Sequence, residues 1–140
     1  MTQDRRLFFK LNLAQRLLLK YFDREVCERA GVPIIQAAAL FFLRSHDGCL
    51  FKDLSEALSQ NRSAITTLVE RMEKNGLVLR QASATDGRAV HLFLTDKGRQ
   101  ACDQALPLVK ENNEKLSALF TGEEMETIHR FLDTVIGMYT

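Results

Sequence analysis

From Leu7 to Val26 the apolar residues Leu7, Leu11, Ala14, Leu18, Tyr21 and Phe22 recur at spacings of three and four, the period of one helix face. Phe9, Leu13 and Leu17 form a second stripe beside the first. So wide an apolar face predicts a long helix that touches more than its own core. Gly31 predicts the end of this helix, and Pro33 the first turn of another that runs to about Arg44. The second helix carries "IIQAAALFFL"; it is apolar nearly all round and therefore reads as central and buried.

A short helix from Lys52 to about Ser59 follows. "SQNRSAITTLVERMEKNG" predicts a further helix whose core stripe is Ile65, Leu68, Val69 and Met72. Gly76 is placed to stop it in a left-handed cap, with Leu77 supplying the apolar contact that accompanies such caps. "LVLRQA" and "AVHLFL" are the only convincing strands, and they flank a polar loop, which predicts a hairpin. Gly87 is expected to give that loop a positive φ. Thr95 and Asp96 suit the start of a long helix, and Pro107 should kink or divide it. Thr121-Gly-Glu-Glu124 has the form of a capping box. The helix it opens has a continuous apolar face of Met125, Ile128, Phe131, Leu132, Val135, Ile136 and Tyr139.

Charge changes this picture in one respect. The net charge is only +1 over 140 residues, so no global basic field points to nucleic acid. The distribution is uneven, however. Residues 1–30 hold seven basic and four acidic side chains, whereas residues 95–140 hold five basic and eight acidic. Any anion-binding surface must then be local and lie before residue 95. The length fits one domain. Cys27, Cys49 and Cys102 are an odd set without CxxC spacing, which argues against a disulfide framework or a zinc site and suits a reducing cytoplasm. The charged start, Met1 to Lys10, does not resemble a signal peptide, and no apolar run has membrane-spanning length. His46, His91 and His129 are scattered, and no Ser, Asp or Cys shares a catalytic spacing with them. The expectation is a non-enzyme with no catalytic residues, no metal and no cofactor.

The middle of the chain orders a short helix, a tight turn, a second helix and a hairpin, which is a helix-turn-helix followed by a wing. A major groove admits one α-helix, and a preceding helix that crosses the backbone fixes its angle. A hairpin beside it can carry a basic side chain to the neighbouring minor groove. From Ala57 to Val69 there is no acidic residue, and Arg62 is the one charge. Opposite the core stripe lie Asn61, Arg62, Ser63, Ala64, Thr66 and Thr67, small or hydrogen-bonding groups that permit close approach to base edges and phosphates. Taken alone, this stretch equally describes a solvated helix face with a capping Asn or Ser. The loop adds Ser83, Thr85, Asp86, Gly87 and Arg88. Asp86 could pair with Arg88 and hold its direction, although a lone DGR is also an ordinary turn. The combination of helix and wing is what favours DNA.

Three stretches resemble the MarR family of winged helix-turn-helix regulators: "FKDLSEALSQNRSAITTLVERMEKNGLVLR", "TDGRAVHLFLTDKG", and the pair of long apolar-faced helices at the two ends. The resemblance covers about residues 7–139. It implies a mainly α fold with a small β-hairpin wing, in which a winged helix-turn-helix is joined to a helical dimerisation region. Over a single domain of residues 1–140, the winged module would occupy 33–94 and the dimerisation helices 1–31 and 95–140. It implies a cytoplasmic homodimer that binds a pseudo-palindromic double-stranded operator, most often as a repressor. By position, Arg62, Ser63, Thr66 and Thr67 would face the major groove, Arg88 the minor groove, and Asp86 would orient Arg88. Asn61 and Arg71 complete the expected DNA-binding set. Leu7, Leu11, Met125, Ile128, Phe131, Leu132, Val135 and Tyr139 would form the dimer interface. The chain departs from many members in carrying Thr67 where they have arginine, which removes a guanine contact from that position.

Family members often respond to a small anionic or phenolic effector. Arg16, Arg44 and His46 are the candidate groups for one here. Others oxidise a cysteine, and Cys27 and Cys49 are the candidates for such thiol-redox sensing. A winged-helix protein–protein adaptor without DNA binding is the alternative from a different class.

Overall fold

The computed structural model describes residues 6–85 and 87–140. Among them are six helices and three strands, in the order α1 (Leu7–Ala30), α2 (Ile34–Ser45), β1 (Cys49–Leu50), α3 (Phe51–Leu58), α4 (Arg62–Lys74), β2 (Val78–Ala82), β3 (Val90–Leu94), α5 (Asp96–Ser117) and α6 (Gly122–Met138). The chain divides into two compact units between Leu106 and Pro107. Among the described residues, no single helix is long and apolar enough to cross a membrane.

In the first unit, α1 ends at Gly31, whose φ of +74° is the left-handed conformation that glycine adopts most readily. Pro33 is the residue before α2 and not its first-turn residue as expected, because its backbone is extended, with ψ 153°. Pro33 has no cap to offer from its side chain; instead Asp23 of α1 accepts the Ile34 N–H at 2.8 Å, so one helix caps the next. α2 is the central element. Ala37, Ala39, Leu40 and Leu43 are buried, together with Gln36, which Asn75 reaches from the end of α4.

The predicted hairpin is present, but it belongs to a three-stranded antiparallel sheet of order β1-β3-β2. β2 and β3 pair from Val78↔Leu94 to Ala82↔Val90. The third strand is β1, at Cys49, which pairs Cys49↔Leu92 and Leu50↔His91. Two residues carry no alternation to detect. Their place is set by Gly48, at φ +86°, whose N–H donates to Leu92 O at 2.7 Å. A Cβ on Gly48 would stand 3.1 Å from the Phe93 ring.

Leu40, Leu43, Leu54, Ile65, Met72, Leu77 and Leu92 form the centre of this unit, each under 2% exposed. Each such side chain contributes about 1.5–3 kcal/mol by leaving water. α4 ends in the expected left-handed cap: Leu77 N–H donates to Met72 O, and Gly76 N–H to Glu73 O, the paired bonds of a Schellman motif. The expected Thr95 cap also forms. Its hydroxyl accepts Gly98 N–H at 3.0 Å and donates to Gly76 O at 2.6 Å, which ties the start of α5 to the end of α4. Gly98 has to be glycine, since a Cβ there would sit 2.2 Å from Leu77 O.

α5 is one helix through Pro107, so the proline does not divide it, although the boundary between the compact units falls at that residue. In the second unit, α6 opens on the capping box expected at Thr121. Thr121 Oγ1 accepts Glu124 N–H at 3.2 Å, and Glu124 Oε1 accepts Thr121 N–H at 2.9 Å. No residue of α6 is buried.

Candidate nucleic-acid interface

The turn from α3 into α4 is held by backbone and side chain together. Ser59 is left-handed at φ +51°, Gln60 N–H donates to Ser55 O at 3.1 Å, and the Ser55 hydroxyl donates to Gln60 O. At the other end of α3, Asp53 accepts the Leu50 N–H at 2.9 Å. Leu50 has no side-chain acceptor to return a bond, so only this half of a capping box exists.

Asn61 caps α4 by accepting Ala64 N–H through Oδ1 at 2.8 Å. Ile65, Leu68, Val69 and Met72 are buried, as the sequence stripe required. Arg62, Ser63 and Thr67 are exposed and Thr66 is half-buried. Arg71 and Lys74 extend a basic line along the exposed side. Glu70, also exposed, is a further group on that side that the sequence reading passed over, because the acid-free stretch it relied on stops at Val69. A carboxylate there can accept from a cytosine amino group and repels phosphate.

The wing loop, residues 83–89, closes with Ser83 N–H on Ala89 O at 2.9 Å. Inside it the Ser83 and Thr85 hydroxyls lie 3.2 Å apart. Gly87 is exposed on this loop; the positive φ expected of it involves Asp86 and so lies outside the described residues. The strands part after Ala82↔Val90. Arg88 is exposed on this loop. The expected partner Asp86 lies outside the described residues.

Helix and wing are joined by a contact that the sequence reading did not find. Arg80 of β2 donates through Nε to Glu73 of α4 at 3.0 Å, and its guanidinium stands 5.5 Å from the centre of the Phe51 ring of α3. One side chain thus bridges both helices of the helix-turn-helix and the base of the wing. Asp47, in the turn before β1, instead ties β3 to α5, accepting Leu94 N–H at 2.8 Å and pairing with Arg99 at 3.2 Å. No periodicity announces either residue. For Arg80 the only signal was an opposite charge, Glu73, across the turn from α4 into β2; Asp47 had none, since Arg99 is far along the chain.

The remaining candidates fare unevenly. Arg44 pairs with Asp103 of α5, whose carboxylate holds the guanidinium protonated beyond its ordinary range. His46 stacks on Phe42, with ring centres 4.3 Å apart. Arg16 is exposed on α1, and nothing among the described residues links it to the other two. Cys27 is exposed; desolvation and the nearby Asp23 carboxylate raise its pKa. Burial, with Asp53 and Asp47, pushes the Cys49 thiol up to about 11. Cys102 is fully buried. Among the described residues, no group of three or more His, Cys, Asp or Glu is placed to hold a metal ion.

A helix-turn-helix braced against a three-stranded wing defines a winged helix-turn-helix protein. The family model described as the MarR family matches residues 30–89, from the end of α1 through the wing loop. The homoprotocatechuate degradative operon repressor of Escherichia coli is 27% identical over 125 residues, covering 89% of this chain and 84% of the repressor. The organic hydroperoxide resistance transcriptional regulator of Bacillus subtilis is 29% identical over 141 residues, covering 93% and 94%. The fold matches that of MepR in the S. aureus MepR–DNA complex with a TM-score of 0.88 at 19% identity, over 96% of this chain and 98% of that one. Residues 30–89 thus match the MarR family, and most of the chain is similar to transcriptional regulators. The relatives named here are regulators and not enzymes.

Proposed function

We propose that the chain is a homodimeric, sequence-specific DNA-binding repressor that releases its operator in response to a small molecule. The observation that carries DNA binding is the rigid pairing of α4 with the wing. Arg80 and Thr95 fix both to the same core, so a helix in the major groove puts Arg88 beside the adjacent minor groove. Asn61, Arg62, Ser63, Thr66, Thr67 and Arg71 supply the groove and phosphate contacts, with Asp86 and Arg88 on the wing. The likeness to a protein solved on DNA and to a named operon repressor supports the same reading.

Dimerisation is supported by what the single chain leaves uncovered. Leu7, Leu132 and Tyr139 are 51%, 41% and 81% exposed; Leu11, Met125, Ile128, Phe131 and Val135 are only partly covered. Apolar surface left open on both α1 and α6 supports an interface with a second copy. Two such modules would bind half-sites about one helical turn apart. For the effector, Arg44 and His46 are the nearer pair and Arg16 the outlier. An anion at Arg44 would compete with Asp103. Thiol sensing has weaker support, since Cys27 and Cys49 both have their thiolates disfavoured.

The test is Arg88→Ala in a titration against duplex DNA enriched by the wild-type protein from a random pool. A loss of about 1–3 kcal/mol is expected. Wild-type affinity in this variant would remove the wing from the interface.

A further inference from the structure

The reading end of α4 has already used much of its hydrogen-bonding capacity on itself. Thr66 Oγ1 donates to Arg62 O at 2.9 Å, and Thr67 Oγ1 donates to Ser63 O at 3.2 Å. A threonine hydroxyl has a single hydrogen, so neither residue has a donor left for a base edge. Asn61 has its carbonyl oxygen engaged by Ala64 N–H. What Thr66 and Thr67 offer outward is a methyl group and oxygen lone pairs. Thr67 is the more exposed of the two, one helical turn beyond Ser63 on the same face. On the major-groove edge, the one apolar feature of any base pair is the C5 methyl of thymine.

We propose that Thr67, flanked by Thr66, selects thymine in each half-site by apolar contact with its methyl group. This rests on the DNA-binding reading above and names the base that its central position recognises.

The experiment begins with duplexes enriched by the wild-type protein from a random pool. Single thymines of the best duplex are then replaced by deoxyuridine, which removes only the C5 methyl. Replacement at one or two positions per half-site is expected to weaken binding about three- to tenfold, the scale of one buried methyl or methylene group. Thr67→Val keeps the methyl and should keep the thymine-over-uracil preference. Thr67→Ser keeps the hydroxyl and should still bind, but with that preference lost. Far-UV circular dichroism confirms that both variants fold. Equal affinity for thymine and uracil at every position, preference retained in Thr67→Ser, or binding abolished in Thr67→Val each overturns the proposal while leaving DNA binding intact. Failure to enrich any duplex overturns the DNA-binding reading and this inference with it.

Discussion

The winged module and α6 have equally clear apolar stripes, yet they treat them in opposite ways. In the module, Leu40, Leu54, Ile65, Met72 and Leu92 are completely withdrawn from water. In α6 nothing is buried: Ile136 and Met138 are 59% and 66% exposed, and Tyr139 just after it is 81% exposed. α1 stands between these extremes. It buries Val26 and Ala30 near its C-terminal end and leaves Phe8 and Phe9 at 82% and 60% exposure. Periodicity shows that a helix has an apolar face, but not whether the cover for that face comes from the same chain. The module finds its cover locally, in helices and strands close in sequence. α6 lacks it, and in our proposal a second copy supplies it.

Charging the α6 face breaks this comparison most directly. Leu132→Glu combined with Ile136→Glu places two carboxylates on the proposed interface. If a second copy covers that face, sedimentation velocity will show a monomer. Operator affinity should then fall by about 100-fold or more, because two linked half-sites become two independent ones. If the face is solvated, both quantities stay unchanged and stability moves by less than about 0.5 kcal/mol.

The complementary change is Leu54→Ala. It removes a side chain that is fully enclosed where α3 meets the core, and the cost should be about 2–5 kcal/mol in urea unfolding. The surviving folded protein should keep its oligomeric state. Dissociation by Leu54→Ala as severe as that caused by the α6 double variant would mean that module and interface do not behave as separate regions.

Whatever depends on a few neighbouring residues was legible in advance. Gly31, Gly76, Thr95 and the Thr121 capping box all stand where the sequence placed them, since cap chemistry is local. The α4 stripe and the β2–β3 hairpin follow equally from short-range pattern. β1 was not legible as a paired strand, because its two residues become a strand only when β3 is beside them. Nor were Arg44–Asp103, Asp47–Leu94 or Arg80 over Phe51, whose partners meet only after the helices pack. The candidate interface divides the same way. Its residue types were visible, and the bonds from Thr66 and Thr67 to carbonyls four residues earlier are of a kind that helices permit locally. The bracing that joins α4 to the wing was not visible.

The smallest effect sharpens the comparison by separating the formation of α6 from the surface it presents. Thr121→Ala deletes one half of the capping box without touching the apolar face, and should cost about 1 kcal/mol at neutral pH. Glu124 carries the other half. Its pKa lies below the ordinary carboxylate value, chiefly because the Thr121 N–H donates to it and then because of the Thr121 side chain. A depressed pKa stabilises the fold above the unfolded value, about 4.3 for glutamate. That contribution is lost as pH falls through the folded value. Urea titrations at pH 7 and below pH 4 should therefore show an acid-dependent loss that Glu124→Gln reduces. Thr121→Ala should keep most of this loss, because the backbone donor remains. Neither variant should approach the dissociation caused by Leu132→Glu with Ile136→Glu. If Thr121→Ala alone produced monomers, the helicity of α6 and not the complementarity of its face would limit assembly, and the contrast between the two regions would be one of local stability.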